Sequence, residues 1–449
     1  MKITTACLVW VTGLSLLAAA STQDRKLDAR IEQELPALVA TYKQLHAAPE
    51  LSHFEAKTSA FIADRLRALG YTVTERVGRY PKSEWQAYGV VAVMKNGDGP
   101  TVLVRTELDA LPVEEKTGLS YASKVKAKND AGEEVSVMHA CGHDIHMTTL
   151  LGTAKMLAEL KDQWHGTLML IGQPAEESIN GAQAMLADEM YTRFPKPNYC
   201  VALHDSADLE AGKVGYTPGY ALASSTSVDV FIRGLGGHGS RPDRTKDPVV
   251  AAAQFILALQ TIVSREDSPF DPAVVTVGSI HGGTRYNIIP DEVHLQLTIR
   301  TYTEEVRQKI LASIERIARG EALAAGIPED RAPIVRPNPE EYTASMYNDP
   351  QLTERLAGVF KKTLGPENVV QMPPAMASED FGYFGLEGHQ IPICMFSLGA
   401  VDPVKFQESK RTGKPLPGLH SSLWAPLPEP TIRTGVKAMT VAVLELMNK

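Results

Sequence analysis

The chain has 449 residues, 44% of them hydrophobic and 22% charged, with a formal net charge of -8. That length argues for more than one domain, and the balance is that of an ordinary globular protein. An acidic chain with no dense Lys/Arg stripe excludes a nucleic-acid footprint, so no nucleic-acid partner is expected.

Residues 1–20 read as a signal peptide. Lys2 supplies the positive end, an apolar run follows from about Ala6 to Ala20, and Leu17-Ala18-Ala19-Ala20-Ser21 has the small residues of a cleavage site. The run is shorter than the roughly 20 residues of a membrane span. The expectation is export, to a periplasm or to the medium, with no stable membrane insertion after cleavage. An uncleaved anchor is the alternative. No other stretch reads as long and apolar enough to span. Cys7 falls within the signal, and Cys141, Cys200 and Cys394 are too scattered for a disulfide framework. Cys200 and Cys394 lie in apolar runs and read as core residues.

A helix is expected over 28–45, where Ile31, Leu35, Leu38, Tyr42 and Leu45 recur near helical spacing. Ser52 and Glu55 fit a capping box for a second helix that Gly70 ends, which makes them caps rather than catalysts. Segments 90–94 and 101–104 read as strands around an Asn96-Gly97 turn. The second enters Glu107-Leu108-Asp109-Ala110-Leu111-Pro112, and acidic residues just beyond a strand end lie where open α/β sheets place their sites. A surface loop explains that segment equally well. Segment 124–134 is charged and reads as an exposed excursion.

Met138-His139-Ala140-Cys141-Gly142-His143-Asp144-Ile145-His146 is the densest chemistry in the chain. In an extended segment Cys141 and His143 would point to one side. A thiolate beside an imidazole begins a transition-metal site. A buried cysteine beside surface histidines is the plainer reading, which four potential ligands in six positions weaken. Strand 167–172 then delivers Gln173-Pro174-Ala175-Glu176-Glu177. Adjacent side chains diverge, so one carboxylate can bind metal while the other faces water. Strand 200–203 delivers His204. Carboxylate, carboxylate and imidazole at three strand ends favour a shared site over solvated turns.

Strand 227–232 enters Gly234-Leu235-Gly236-Gly237-His238-Gly239-Ser240, which lacks the order of a phosphate-binding loop. Its glycines let the backbone bend so that His238 projects. Helix 247–263, strands 274–280 and 293–300, helix 303–325 and strand 332–336 complete a β-α-β-β-α-β order, a ferredoxin-like unit inserted into the first domain. Beyond it come a polar turn at 377–381, a strand at 393–397, a long loop, Leu419-His420-Ser421, and a C-terminal helix over 431–447.

In this order the segments around Cys141, Glu176, His238 and His420 resemble the metal-dependent amidohydrolases that include hippurate hydrolase, N-acyl-amino-acid hydrolases and auxin-conjugate hydrolases, relatives of aminoacylase and carboxypeptidase G. The resemblance covers nearly all of the chain after the signal. It implies an α/β, zinc-peptidase-like catalytic domain (27–221 and 340–449) with an inserted ferredoxin-like lid and dimerisation domain (222–339). It implies two divalent metal ions, Zn, Mn or Co, held by Cys141 as the bridge with His143, Glu177, His204 and His420. Glu176 would be the general base, Asp109 would orient a ligand, and His238 would stabilise the oxyanion. Asn287 and Arg300 would contact a small-molecule amide substrate, and a homodimer is expected. His139 and His146 would support the ligands. Glu107 stands where the family pattern has aspartate, and the 124–134 excursion and the 400–419 loop are long. The rivals are a dipeptidase or carboxypeptidase of the same clan, and a silent binding protein on the same scaffold.

Overall fold

A computed structural model describes residues 22–448, so the expected signal lies outside the described residues. The larger sheet has eight strands in the order Thr72–Val77, Gly89–Asn96, Gly166–Gln173, Thr101–Glu107, Tyr199–Glu210, Ile393–Val401, Val214–Tyr216 and Val369–Gln371. Thr101–Glu107 pairs in parallel with both neighbours, and Tyr199–Glu210 pairs in parallel with Ile393–Val401. All seven residues of Thr101–Glu107 are buried, as in a strand covered on both faces. On one face the helices Thr22–His46, His143–Glu159 and Pro428–Leu446 close a core around Leu38, Tyr42, Ile145, Leu150 and Val436. Gly152 permits this packing, because a Cβ there would stand 2.6 Å from the Val436 side chain. Met185, Met190, Phe381 and Phe384 belong to a second core, together with Leu103 and Ile171 from the strands. Parallel strands bring their carboxyl ends to one edge, and there the chemistry collects.

The smaller sheet is antiparallel, in the order Ala273–Gly282, Glu292–Thr301, Ser224–Arg233 and Ile334–Thr343. Its core joins Val228, Val230, Leu295 and Leu297 to Phe255 and Leu259 of helix Pro248–Thr261 and Ile310 and Ile314 of helix Glu304–Ala324. Chain order and spatial order are those of the ferredoxin-like unit. The last strand runs on through Pro337 and Pro339 to Thr343, beyond the 332–336 expected. It lies at the sheet edge, where a missing N–H can face solvent.

Several local readings are corrected. Ser52 and Glu55 do not form a capping box. Glu50 satisfies the helix Ala56–Ala68 instead, its Oε2 accepting from the N–H groups of Lys57 (2.9 Å) and Thr58 (2.7 Å). The strands around Asn96-Gly97 are not neighbours, since Gly166–Gln173 lies between them. The 400–419 loop contains a helix, Pro403–Thr412, whose N-cap Asp402 accepts from Val404 and Lys405 and which Gly413 ends at φ 71°. A second stretch does have the length and hydropathy of a span, Pro248–Glu266. Its inner side packs on the small sheet through Ala251, Ala252 and Phe255, while Val250 and Leu257 are exposed.

Candidate metal centre

Cys141 and His143 meet through a turn rather than an extended segment. Gly142 stands at φ 77° as the N-cap of helix His143–Glu159, and a Cβ there would fall 2.2 Å from the Asp205 carboxylate. Only glycine fits both demands. The turn sets the Cys141 sulfur 3.5 Å from His204 Nε2 and 3.2 Å from His420 Nε2. Glu177 lies 3.8 Å from His143 Nε2 and 3.5 Å from His420 Nε2. His420 comes from a distant loop, held by its N–H donating to the Ala140 carbonyl (2.8 Å).

The imidazoles are preset as ligands. His143 Nδ1–H donates to the Asp109 carbonyl (2.8 Å) and His204 Nδ1–H to the Asp205 carbonyl (2.8 Å). Each therefore turns the Nε2 lone pair inward. His143 Nε2 and Glu177 Oε1 are buried without a hydrogen-bond partner among the described residues. Buried polar atoms are rarely left so, and a cation is the partner that both would accept. Burial, then Glu177, pushes the Cys141 thiol well above its usual range, and burial pushes Glu177 up to about 7. Burial, then Glu379 and Glu177, pushes the Glu176 carboxyl well up. This excess of negative charge in a dry site fits divalent ions, which deprotonate thiol and carboxyl ligands as they bind.

His146 and Glu107 also lie near His143 and His204, but both are already engaged. His146 Nε2 accepts the Asp205 N–H (2.8 Å), and its Nδ1–H donates to Glu107 (2.9 Å). Asp109 receives the Ser52 hydroxyl (2.7 Å) and the Glu177 N–H (3.0 Å) on one carboxylate oxygen. Glu55 accepts the N–H of Ala175 (2.8 Å), a residue at φ 48°, and so steadies the bend that carries Glu176 and Glu177. His139 is buried with neither ring nitrogen partnered, and burial lowers it to about 4.

Behind this bend lies a group that the sequence reading passed over. Arg105 is buried in its strand and donates to Gln173 (2.9 Å), Glu379 (2.6 Å), Asp380 (3.2 Å) and Glu107. Segment 377–381 is therefore no exposed polar turn, since Glu379 and Asp380 are buried. The available signal was an arginine directly after the apolar run Val102-Leu103-Val104.

A cavity of about 1100 Å³ opens over Cys141, Glu176, Glu177, His204 and His420. Arg300 reaches it from the small sheet. This guanidinium is half-buried, touches the Ser378 hydroxyl, and has no carboxylate partner among the described residues. His238 and Asn287 do not line the cavity of their own chain. Both are exposed, on a ribbon where Gly237–His238 pairs with Ile288–Ile289. The glycines before His238 serve close approach rather than bending, as a Cβ at Gly236 would stand 2.7 Å from the Ile289 carbonyl and Gly236 is not at positive φ. The charged excursion is a hairpin, Lys126–Lys128 with Glu134–Ser136, whose Asp130 meets His53 Nδ1 (2.9 Å) at the cavity wall.

A mixed sheet with thiol, imidazole and carboxylate donors gathered at one edge, under a ferredoxin-like insert, defines a metallohydrolase. The chain belongs to peptidase family M20/M25/M40, whose model matches residues 103–409. It is 36% identical over 343 residues to hippurate hydrolase of Campylobacter jejuni, covering 76% of this chain and 83% of that one. It is 36% identical over 352 residues to N-acetyl-L-cysteine deacetylase of Bacillus subtilis, covering 77% of each. A solved dinuclear metal-binding peptidase of the M20 family from Bacillus subtilis superposes with a TM-score of 0.73 at 25% identity, covering 93% of this chain and 99% of that one.

Proposed function

We propose that this chain is an exported, homodimeric amidohydrolase that uses two divalent ions, Zn, Mn or Co, to cleave the amide bond of N-acyl amino acids. The observation that carries the reading is the inward convergence of Cys141, His143, Glu177, His204 and His420 beside Glu176, with His143 Nε2 and Glu177 Oε1 buried and without a partner among the described residues. Bound there, the ions supply Lewis acidity toward the amide carbonyl and a nucleophile at neutral pH. Glu176 accepts no hydrogen bond from a described side chain, so its carboxylate is free to take the proton of the attacking water and pass it to the leaving amine. Arg300, desolvated and unpaired, holds the substrate carboxylate. The relatives named for hippurate and N-acetyl-L-cysteine support this class of substrate.

The test is turnover of N-acyl amino acids and dipeptides by metal-stripped protein reloaded with Zn, Mn or Co. Stripping should abolish activity, reloading should restore it, and N-acyl amino acids should outpace dipeptides. Dipeptide preference would support the dipeptidase rival. Tight metal binding without turnover of any substrate would support the silent scaffold. N-terminal sequencing of exported protein should begin near Ser21, and an intact Met1 would sink the cleavage proposal.

What one chain leaves open supports the homodimer. The edge strand Ala273–Gly282 has a partner on one side only, and Leu257, Ile280 and Tyr286 are exposed on the same domain. Because His238 and Asn287 do not line the cavity of their own chain, we propose that a second copy supplies them. Mixing two inactive variants, Glu176→Gln and His238→Ala, should then restore part of the activity, because one site of each mixed dimer is intact. No recovery after subunit exchange would overturn the shared site.

A further inference from the structure

We propose that Ser240 is a positioning residue that holds the His238 imidazole in the tautomer with its proton on Nε2. The inference rests on the reading of His238 as the oxyanion donor. It adds which nitrogen acts and what selects it.

His238 opens a tight turn, with the Arg241 N–H donating back to its carbonyl (2.8 Å). The next amide, Gly239 N–H, donates to the Asn287 carbonyl (2.8 Å), which ties the turn to the neighbouring ribbon strand. Inside the turn, Ser240 offers two groups to one ring nitrogen. Its backbone N–H stands 3.1 Å from His238 Nδ1, and its hydroxyl 2.8 Å from the same atom. A hydroxyl could serve either tautomer, as donor or acceptor. A backbone amide can only donate. Nδ1 must therefore present its lone pair, the hydroxyl proton can share it, and the ring proton stands on Nε2. That nitrogen makes no hydrogen bond with a described residue, and the side chain is exposed. An exposed ring with a fixed Nε2–H is a donor held ready for an acceptor outside its own loop. The same logic, with the proton on the opposite nitrogen, makes His143 and His204 ligands: there a carbonyl takes the Nδ1 proton. In His143, His204 and His238, what faces Nδ1 thus sets whether Nε2 offers a lone pair or a proton.

The experiment uses the metal-loaded full-length protein and an N-acetyl amino acid. A glutamine carboxamide nitrogen can stand near the place of Nε2, and an asparagine nitrogen near that of Nδ1. His238→Gln should keep kcat within about tenfold of the parent, while His238→Asn and His238→Ala should lose about 10²-fold, as for a removed oxyanion donor. Ser240→Ala, which keeps the amide and loses the hydroxyl, should lower kcat about fivefold with KM unchanged. Ser240→Thr should restore it. In the His238→Gln background, Ser240→Ala should cost nothing more, because an amide side chain has no tautomer to select. An equal loss in both backgrounds, no loss in either, or rescue by asparagine instead of glutamine would overturn the role of Ser240 while leaving His238 as the donor. Parent-like kcat in His238→Ala would overturn both.

Discussion

Replacing Glu176 by glutamine lowers kcat by about 10²–10⁴-fold and leaves metal content unchanged, as measured by steady-state kinetics and elemental analysis of the same preparation. Glutamine has the shape of glutamate, but its amide cannot take a proton from water at neutral pH. The neighbouring Glu177 cannot substitute, because adjacent side chains diverge and its oxygens face His143 and His420. The same replacement moves stability the other way in the metal-free protein. Burial, Glu379 and Glu177 raise the folded-state pKa of Glu176 above its unfolded value, so its ionised form opposes folding once the pH exceeds the unfolded carboxylate value of about 4.3. Metal-free Glu176→Gln should therefore melt above the parent at pH 8, with the gap closing as the pH falls toward 4. Lost metal in the variant, or kcat within a few-fold of the parent, would remove Glu176 from the role of base.

The sequence showed the parts whose signal is local. Cys141, His143, Glu176, Glu177, His204 and His420 stand in short segments, and the structure brings them together beside one cavity. The inserted unit was legible because its helices and strands carry different periods. What stayed hidden is whatever depends on a distant partner. Ser52 and Glu55 have the spacing of a capping box, yet their oxygens go to Asp109 and Ala175, 57 and 120 residues away. Glu379 and Asp380 read as a polar turn because nothing nearby in sequence says that Arg105, 274 and 275 positions earlier, neutralises them. Burial of charge is a tertiary property, and a single sequence carries it only as an oddity, such as an arginine directly after an apolar run. Helix Pro403–Thr412 was missed for another reason: its residues are mostly exposed, so it lacks the apolar stripe on which periodicity depends.

Arg105→Met is the substitution expected to cost most stability, about 3–5 kcal/mol, measured as a drop in the urea midpoint of the metal-loaded protein. Methionine fills much of the same volume, so packing is not what is lost. Glu107, Glu379 and Asp380 remain fully or nearly fully buried and lose their shared cation. Coulomb attraction at such short range in a poor dielectric is what offsets their desolvation. The damage reaches the catalytic bend through Asp380. One of its oxygens accepts from Gln173 Nε2 (2.7 Å) and the other from the Ala182 N–H (2.9 Å), so it clamps both ends of the segment that carries Glu176 and Glu177. Activity should therefore fall at temperatures where the variant is still folded. Arg105→Lys should recover only part of the loss, because a point charge cannot replace a planar fork that serves Gln173 and the carboxylates at once. Adding Glu379→Gln to Arg105→Met should recover stability, since it removes one of the uncompensated charges. If the double variant is instead less stable than Arg105→Met alone, the arginine acts through shape and not through charge, and the clamp on the bend has to be sought in packing around Phe381.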